Sequence, residues 1–331
     1  MKNLSIGKIR GLQEISTAKG YLTVLALDQR GSLIRAMGLD KEDPQLYEKI
    51  RDFKMDTVKE VLPSCSAVLL DPQFSAAEAI QNGLVSGQKG IIVTTEETGY
   101  IENPDGRTNR LIPGWSLEKA KRMGASASKL LVYYNPKIST VAKVQEEFVQ
   151  SFGDFAQDLD LPLLLEPMSY SPDPDMPKKS RNFAQMRPQI VLDTVKNLGN
   201  LGVDLLKLEF PCDVDYESDE SVWFSACKQI SEHSPVPWVL LSAGVNFDVF
   251  KKQLDVACRA GASGFVAGRA IWKEAASLDR KDRKSFLMNT AAKRTEELVA
   301  IVRKHAVPWV DSLTDKFAKI DKNWLTGYKK F

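Results

Sequence analysis

The chain has 331 residues, with 45 Lys plus Arg against 43 Asp plus Glu and a formal charge of +2. That near balance excludes nucleic acid as the main partner, since phosphate-backbone binding needs a concentrated cationic face. The 43% apolar content excludes a disordered or fibrous chain, and length alone fits two domains or one large α/β barrel. An apolar, β-branched run then recurs eight times along the chain. The runs are Leu22–Asp28, Ala67–Asp71, Gly90–Glu96, Lys129–Tyr134, Leu161–Met168, Val203–Pro211, Pro237–Gly244 and Gly264–Ala270. Continuous apolar runs mark parallel strands, because helices cover one face and the core fills the other.

Helical patterns fall between and after the runs, over Gln45–Val61, Ser116–Met123, Ala142–Asp158, Gln189–Leu201, Ser221–Glu232, Val249–Ala260 and Phe286–His305. Gly124, Gly202 and Gly261 each stand where a helix ends and a strand begins, the usual place for a residue in the left-handed conformation. The alternation and the count of eight predict an α/β fold, a (β/α)₈ TIM barrel. A doubly wound open sheet is the alternative. The barrel is expected to occupy residues 1–310 as a single domain, followed by a Lys-rich extension over 311–331, an outer helix or a loose end. The polar, proline-rich stretch Ser169–Pro188 reads as a long loop after the fifth strand.

The four cysteines form no C-x-x-C pair and read as reduced thiols of a cytoplasmic protein. The N-terminus lacks the apolar core of a signal peptide, and no run is long enough to span a bilayer. Only two histidines occur, His233 in a polar loop and His305 near a helix end. A Ser-His-Asp triad or a His-ligated zinc would have to use one of them, and neither stands at a strand end. No metal site and no cofactor are expected.

Barrel active sites lie at the carboxyl ends of the strands. Those ends carry Asp28, Gln29 and Arg30, then Asp71, then Glu96 and Glu97, then Glu166, then Lys207 and Glu209, and last Arg269. Lys129 opens the fourth run. A charge inside an apolar strand is costly unless it is paired or used, so Lys207 in VDLLKLEFP is the most informative residue. Strand alternation puts Leu205, Lys207 and Glu209 on one face, the barrel interior if Leu206, Leu208 and Phe210 meet the helices. One reading is a structural ion pair. The other is a Schiff-base lysine, with Lys129 as a second cation and Glu166 as proton shuttle. Ser242-Ala243-Gly244 and Gly268-Arg269 close the last two strands, where many barrels bind phosphate. Lys178, Lys179 and Arg181 read first as a solvated loop.

The segments ALDQRG (26–31), LLDP (69–72), EETGY (96–100), KLLVYY (129–134), LLLEPMSY (163–170), DLLKLEFP (204–211), LSAGV (241–245) and AGRAIW (267–272) resemble the class I tagatose 1,6-bisphosphate aldolases. The matches run in order across the whole predicted barrel. The resemblance implies a metal-free (β/α)₈ enzyme that cleaves ketohexose bisphosphates to dihydroxyacetone phosphate and glyceraldehyde 3-phosphate. It implies Lys207 as the Schiff-base residue, Glu166 as acid–base, Lys129 as the assisting lysine, and Ser242 and Arg269 on the phosphate, beside Gly244 and Gly268 of the two strand-end turns. Asp28, Gln29 and Arg30 would line the same site. PWVLLSAGV and GASGFVAGRAIW also resemble an aldolase of 6-deoxy-6-sulfofructose 1-phosphate, whereas EETGY and RLIPGW favour the tagatose enzymes. The implied partner is a small sugar phosphate, neither nucleic acid nor membrane, with a homo-oligomer left open. At the distal end of the sugar, Arg30 and Lys178–Arg181 are the expected contacts for a dianion. A reading from another class, a non-catalytic sugar-phosphate sensor, would have no chemical need for all three of Lys207, Glu166 and Lys129.

Overall fold

Each of the eight apolar runs falls on a strand in the computed structural model, which describes residues 4–103, 106–173, 175–317 and 320–328. We number them β1 (Leu22–Ala26), β2 (Ala67–Leu70), β3 (Gly90–Thr94), β4 (Ala127–Tyr133), β5 (Leu163–Met168), β6 (Leu205–Leu208), β7 (Trp238–Leu241) and β8 (Gly264–Ala267). They pair in parallel in chain order, and β8 returns to β1 through Leu22↔Gly264 to Leu25↔Ala267, so the sheet is a closed barrel. Closure rules out the open doubly wound sheet. Nearly every strand residue is buried, as a sheet covered on both faces requires.

Seven of the strands are shorter than the runs that announce them, and the fourth starts two residues before its run, at Ala127. Asp28, Asp71, Glu96, Glu209 and Ser242 all fall just past a strand end, on the loops that build the active face. The helix after β5 spans Arg181–Leu198 and starts eight residues before the predicted Gln189. Ser180 caps it, its hydroxyl accepting from the Phe183 amide at 3.2 Å. Pro188 lies inside this helix, where its missing N–H and its ring disfavour helix. Packing of Phe183, Ala184 and Ile190 carries the helix through it. The predicted loop therefore ends at Ser180, and Pro174 within it lies outside the described residues. The last helical pattern likewise starts early, at Arg280, and runs through a π-turn over Leu287–Ala291 into Ala292–His305.

A helix that the sequence did not announce, Ile6–Ile15, covers the amino-terminal end of the barrel. Its buried face includes Lys8 and Gly11. Lys8 is 1% exposed and its Nζ donates to Asp204 Oδ2 at 2.7 Å. Leu4 pairs with Phe317 in a short bridge. Short turns over Trp309–Ser312 and Thr314–Lys316 lead to a helix at Trp324–Gly327. Tyr328 donates to Asp160 Oδ2 at 2.7 Å and its hydroxyl accepts from the Gly7 amide at 3.1 Å. Both chain ends thus pack on the face opposite the strand carboxyl ends. Residues 318–319 and 329–331 of the predicted extension lie outside the described residues.

Candidate active site

Strand alternation points Lys129 of β4, Glu166 of β5 and Lys207 of β6 toward the barrel axis, and register brings them together. Thr94 of β3 pairs with Lys129, and Leu131 pairs with Glu166. Lys129, 1% exposed, lies at the centre. Its Nζ reaches Asp28 Oδ2 at 2.9 Å, Glu96 Oε1 at 2.6 Å and Glu166 Oε2 at 2.8 Å. Three carboxylates match the three protons of the ammonium. Glu166 Oε2 also accepts from Lys207 Nζ at 2.9 Å. One carboxylate oxygen is therefore shared by two lysines.

The charges determine which forms exist. Burial opposes the charge on Lys129, yet Asp28, Glu166 and Glu96 hold its ammonium well above the usual lysine range. Burial pushes the Glu166 carboxyl up, and Lys129 with Lys207 more than reverses it, so Glu166 stays ionised below the usual carboxylate range. Asp28 is held low in the same way by Lys129, Lys207 and Arg30. The cluster is a buried, charge-balanced network in which Lys129 is a fixed cation and Glu166 a carboxylate in contact with Lys207.

The remaining predicted residues separate into three settings. Arg30 is 7% exposed and turned inward, donating to the Glu96 carbonyl at 2.7 Å and to Gln73 Oε1 at 3.1 Å. Asp28 Oδ1 and Gln29 Oε1 are buried acceptors without a partner among the described residues. Asp71 bonds Lys54 within a fully buried pair and accepts from Ser75 and from the Gln73 and Phe74 amides. Glu97 forms an exposed pair with Arg110 at 2.8 Å.

The loop is solvated as expected at Asp173, Asp175, Pro177 and Lys179, but the half-buried Lys178 turns its ammonium inward. Its Nζ donates to Glu209 Oε1 at 2.6 Å and to the Ser169 carbonyl at 2.7 Å. The Ser169 amide and hydroxyl complete the grip on Glu209, whose carboxyl burial would raise but Lys178 and Ser169 hold low. Lys179 is exposed, and the Arg181 guanidinium lies over the Tyr216 ring at 5.3 Å.

The ends of β7 and β8 come together around small residues. Ala243 and Gly244 have φ of +47° and +85°, and the Val245 amide donates to the Ser242 carbonyl at 3.0 Å, closing a tight turn. A Cβ at Gly244 would stand 3.2 Å from Cζ of Arg269, so the guanidinium lies directly on the backbone of this turn. A Cβ at Gly268 would come within 2.3 Å of the Ala26 carbonyl and 3.2 Å of Gln29 Nε2, so β8 can meet the Gln29 loop only with glycine there. A cleft of about 520 Å³ opens beside this turn, lined by Met168, Glu209, Leu241 and Gly244 among others.

Sequence reasoning assigned no role to Glu96, although it supplies one of the three contacts on Lys129 and accepts from the Leu131 amide at 3.1 Å. Its position at a strand end was the available signal. The two histidines stand apart from the cluster: His233 Nδ1 contacts the Gln229 carbonyl at 2.9 Å, and His305 faces Asp255 at 3.5 Å. Among the described residues no group of three His, Cys, Asp or Glu is placed to hold a metal ion, and no helix is long and apolar enough to cross a membrane.

A closed barrel thus holds a buried Lys–Glu–Lys cluster at its carboxyl face, the face on which barrel enzymes build their active sites. The model for the DeoC/LacD family aldolase matches residues 22–274, and the chain belongs to that family. It is 30% identical over 326 residues to tagatose 1,6-diphosphate aldolase 1 of Enterococcus faecalis, covering 93% of this chain and 98% of that one. A tagatose 1,6-diphosphate aldolase of Listeria monocytogenes is also 30% identical, over 93% and 95%. Among solved structures, fructose-bisphosphate aldolase from Plasmodium falciparum superposes with a TM-score of 0.69 at 15% identity, covering 92% and 98%. An archaeal fructose 1,6-bisphosphate aldolase gives 0.57 at 20% identity, covering 90% and 99%. These two likenesses show the barrel fold.

Proposed function

We propose that the chain is a class I aldolase that cleaves tagatose 1,6-bisphosphate to dihydroxyacetone phosphate and glyceraldehyde 3-phosphate. The observation that carries this is Glu166 Oε2 shared between Lys207 at 2.9 Å and Lys129 at 2.8 Å. Attack on a ketone needs a free amine, and Glu166 is in reach to take the proton that Lys207 gives up. Lys207 Nζ adds to the C2 carbonyl. Glu166 returns the proton to the departing hydroxyl, and water leaves as the iminium forms. Glu166, again a carboxylate, takes the C4 hydroxyl proton. The C3–C4 bond breaks, its electron pair neutralises the iminium as an enamine, and the aldehyde departs. Protonation of C3 by Glu166 and addition of water then release dihydroxyacetone phosphate and restore Lys207. Throughout, Lys129 keeps its charge and holds Glu166 in place. The unpartnered acceptors Asp28 Oδ1 and Gln29 Oε1 suit the sugar hydroxyls. Ser242, Gly244, Gly268 and Arg269 take the 1-phosphate.

A sensor that only binds sugar phosphate would leave this cluster without a task, and a buried charge network is expensive to keep idle. A second substrate, 6-deoxy-6-sulfofructose 1-phosphate, is favoured by one observation. Lys178, expected together with Arg30 to supply positive charge at the distal end, is taken up by Glu209 and the Ser169 carbonyl, and of Arg30 only the buried Nε is left without a partner among the described residues. The four buried free thiols fit a reducing compartment, so we place the reaction in the cytoplasm.

Borohydride added with dihydroxyacetone phosphate fixes a covalent adduct on Lys207. An adduct on Lys129 alone, or activity surviving Lys207→Ala, overturns the assignment. Parallel kinetics on the two sugars separates the substrates: a preference above about tenfold for the sulfosugar, ~1.4 kcal/mol in the transition state, makes the sulfosugar the substrate and tagatose 1,6-bisphosphate the lesser one.

A further inference from the structure

We propose that Arg107, caged by three tyrosine rings, receives the tetrahedral anion at the far end of the sugar, a phosphate or a sulfonate. The inference rests on the aldolase reading above and adds the residue that reads the distal group. A hairpin follows β3, pairing Ile101–Asn103 with Gly106–Thr108 in antiparallel register. It carries Arg107 over the ends of β3, β4 and β5. The guanidinium carbon lies 4.2 Å from the Tyr100 ring centroid, 5.1 Å from that of Tyr170 and 6.0 Å from that of Tyr133. The Tyr170 hydroxyl also accepts from the Arg107 amide at 3.3 Å.

This cation differs from its neighbours at the barrel mouth. Lys129, Lys207 and Lys178 each pair with a carboxylate, and Arg30 donates to a carbonyl and an amide and lies 3.9 Å from the Glu96 carboxylate. Among the described residues, Arg107 has aromatic faces around it and no carboxylate at ion-pair distance, although Glu102 stands opposite it across the hairpin. Stacking on rings fixes the plane of a guanidinium while leaving its N–H edge for an oxyanion. Two residues on, Asn109 accepts from the Tyr133 amide at 3.0 Å and from Gln145 at 2.9 Å. Its Nδ2 is a buried donor with no acceptor among the described residues.

Tyr133 links the cage to the chemistry. It lies on the same side of β4 as Lys129. Burial and the Glu166 charge push its phenol up, and Arg107 draws it down. Barrel order supplies the direction. In the closed ring, β3 and β4 lie diametrically across from β7 and β8. A ketose bound through C2 to Lys207, with its 1-phosphate at the β7–β8 turn, extends its other end toward Arg107.

Arg107→Met and Arg107→Lys are compared with the parent on tagatose 1,6-bisphosphate, 6-deoxy-6-sulfofructose 1-phosphate and tagatose 1-phosphate. Loss of one charge-assisted contact lowers kcat/KM of Arg107→Met on sugars bearing the distal anion by about 10- to 150-fold. Cleavage of tagatose 1-phosphate stays within about threefold, because no distal anion is present to lose a contact. Arg107→Lys recovers part of the loss. The sugar that suffers more identifies the natural anion. Equal losses on all three sugars, with the dihydroxyacetone phosphate adduct still trapped on Lys207, overturn the role of Arg107 and make it a support of the hairpin. A parent enzyme that forms no adduct overturns the aldolase reading itself.

Discussion

Replacing Lys129 with Met removes the one cation on which Asp28, Glu96 and Glu166 converge. Methionine fills similar space, so the electrostatic loss dominates. All four groups are at least nine-tenths buried, and stripping a buried charge of its partner costs about 3–5 kcal/mol. For 331 residues the unfolding entropy is about 0.7 kcal/mol/K, so the melting temperature falls by about 4–7 °C at pH 8. The pH dependence is the sharper test. In the parent, Asp28 and Glu166 are held below their usual range, so their stabilisation is present above the unfolded values near 4 and constant between pH 5 and 8. In the variant, burial dominates and raises these carboxyls. Protonation on going from pH 8 to 5 then relieves the buried charge, and the deficit shrinks. The acid limb of kcat moves to higher pH, since Glu166 must be ionised to act as base. Calorimetry at pH 5, 6.5 and 8 reads the effect. A deficit that stays constant or widens toward pH 5 refutes the charge-network account.

Glu166→Gln keeps the shape of the site but cannot carry a proton, so kcat falls by about 10²–10⁴ while KM changes little. A variant with raised KM and unchanged kcat would make Glu166 a binding residue. Arg269→Ala removes the guanidinium stacked on the Gly244 turn and lowers kcat/KM for 1-phosphorylated ketoses by about 10- to 150-fold. Borohydride trapping of unphosphorylated dihydroxyacetone is unaffected by that change. Equal loss of both places Arg269 outside the phosphate site.

The strands were legible because a doubly covered parallel sheet leaves little choice but Val, Leu, Ile and Ala, and the chain shows eight such runs. The cluster was legible for the opposite reason: Lys129, Glu166 and Lys207 interrupt those runs, where a charge is tolerated only with partners. What remained hidden depended on distance in sequence or on local signals that mislead. Nothing near Lys129 announces that Glu96, thirty-three residues away, will bond it. Pro188 reads as a helix breaker, yet tertiary packing keeps it inside Arg181–Leu198. The helix Ile6–Ile15 escaped because its buried face mixes Leu12 and Ile15 with Lys8 and Gly11, which interrupts the apolar stripe. Arg107 sits in a hairpin without an apolar run, between the EETGY and RLIPGW segments, and nothing in its spacing announces that rings from three different strand ends will surround it.

The pairing of β1 with β8 has a consequence for the newborn chain. Strand β1 leaves the ribosome first among the strands, and the partner for its outer edge emerges last, with Gly264 meeting Leu22. At ~5–20 residues per second the wait is roughly 10–50 s. Throughout that interval the backbone of Leu22–Ala26 offers an unpaired edge, apolar but for Thr23, the kind of surface that recruits other chains. Product truncated before Gly264 keeps that edge bare for good and accumulates as aggregate, so full-length yield in expression is limited by how well β1 is shielded while translation finishes.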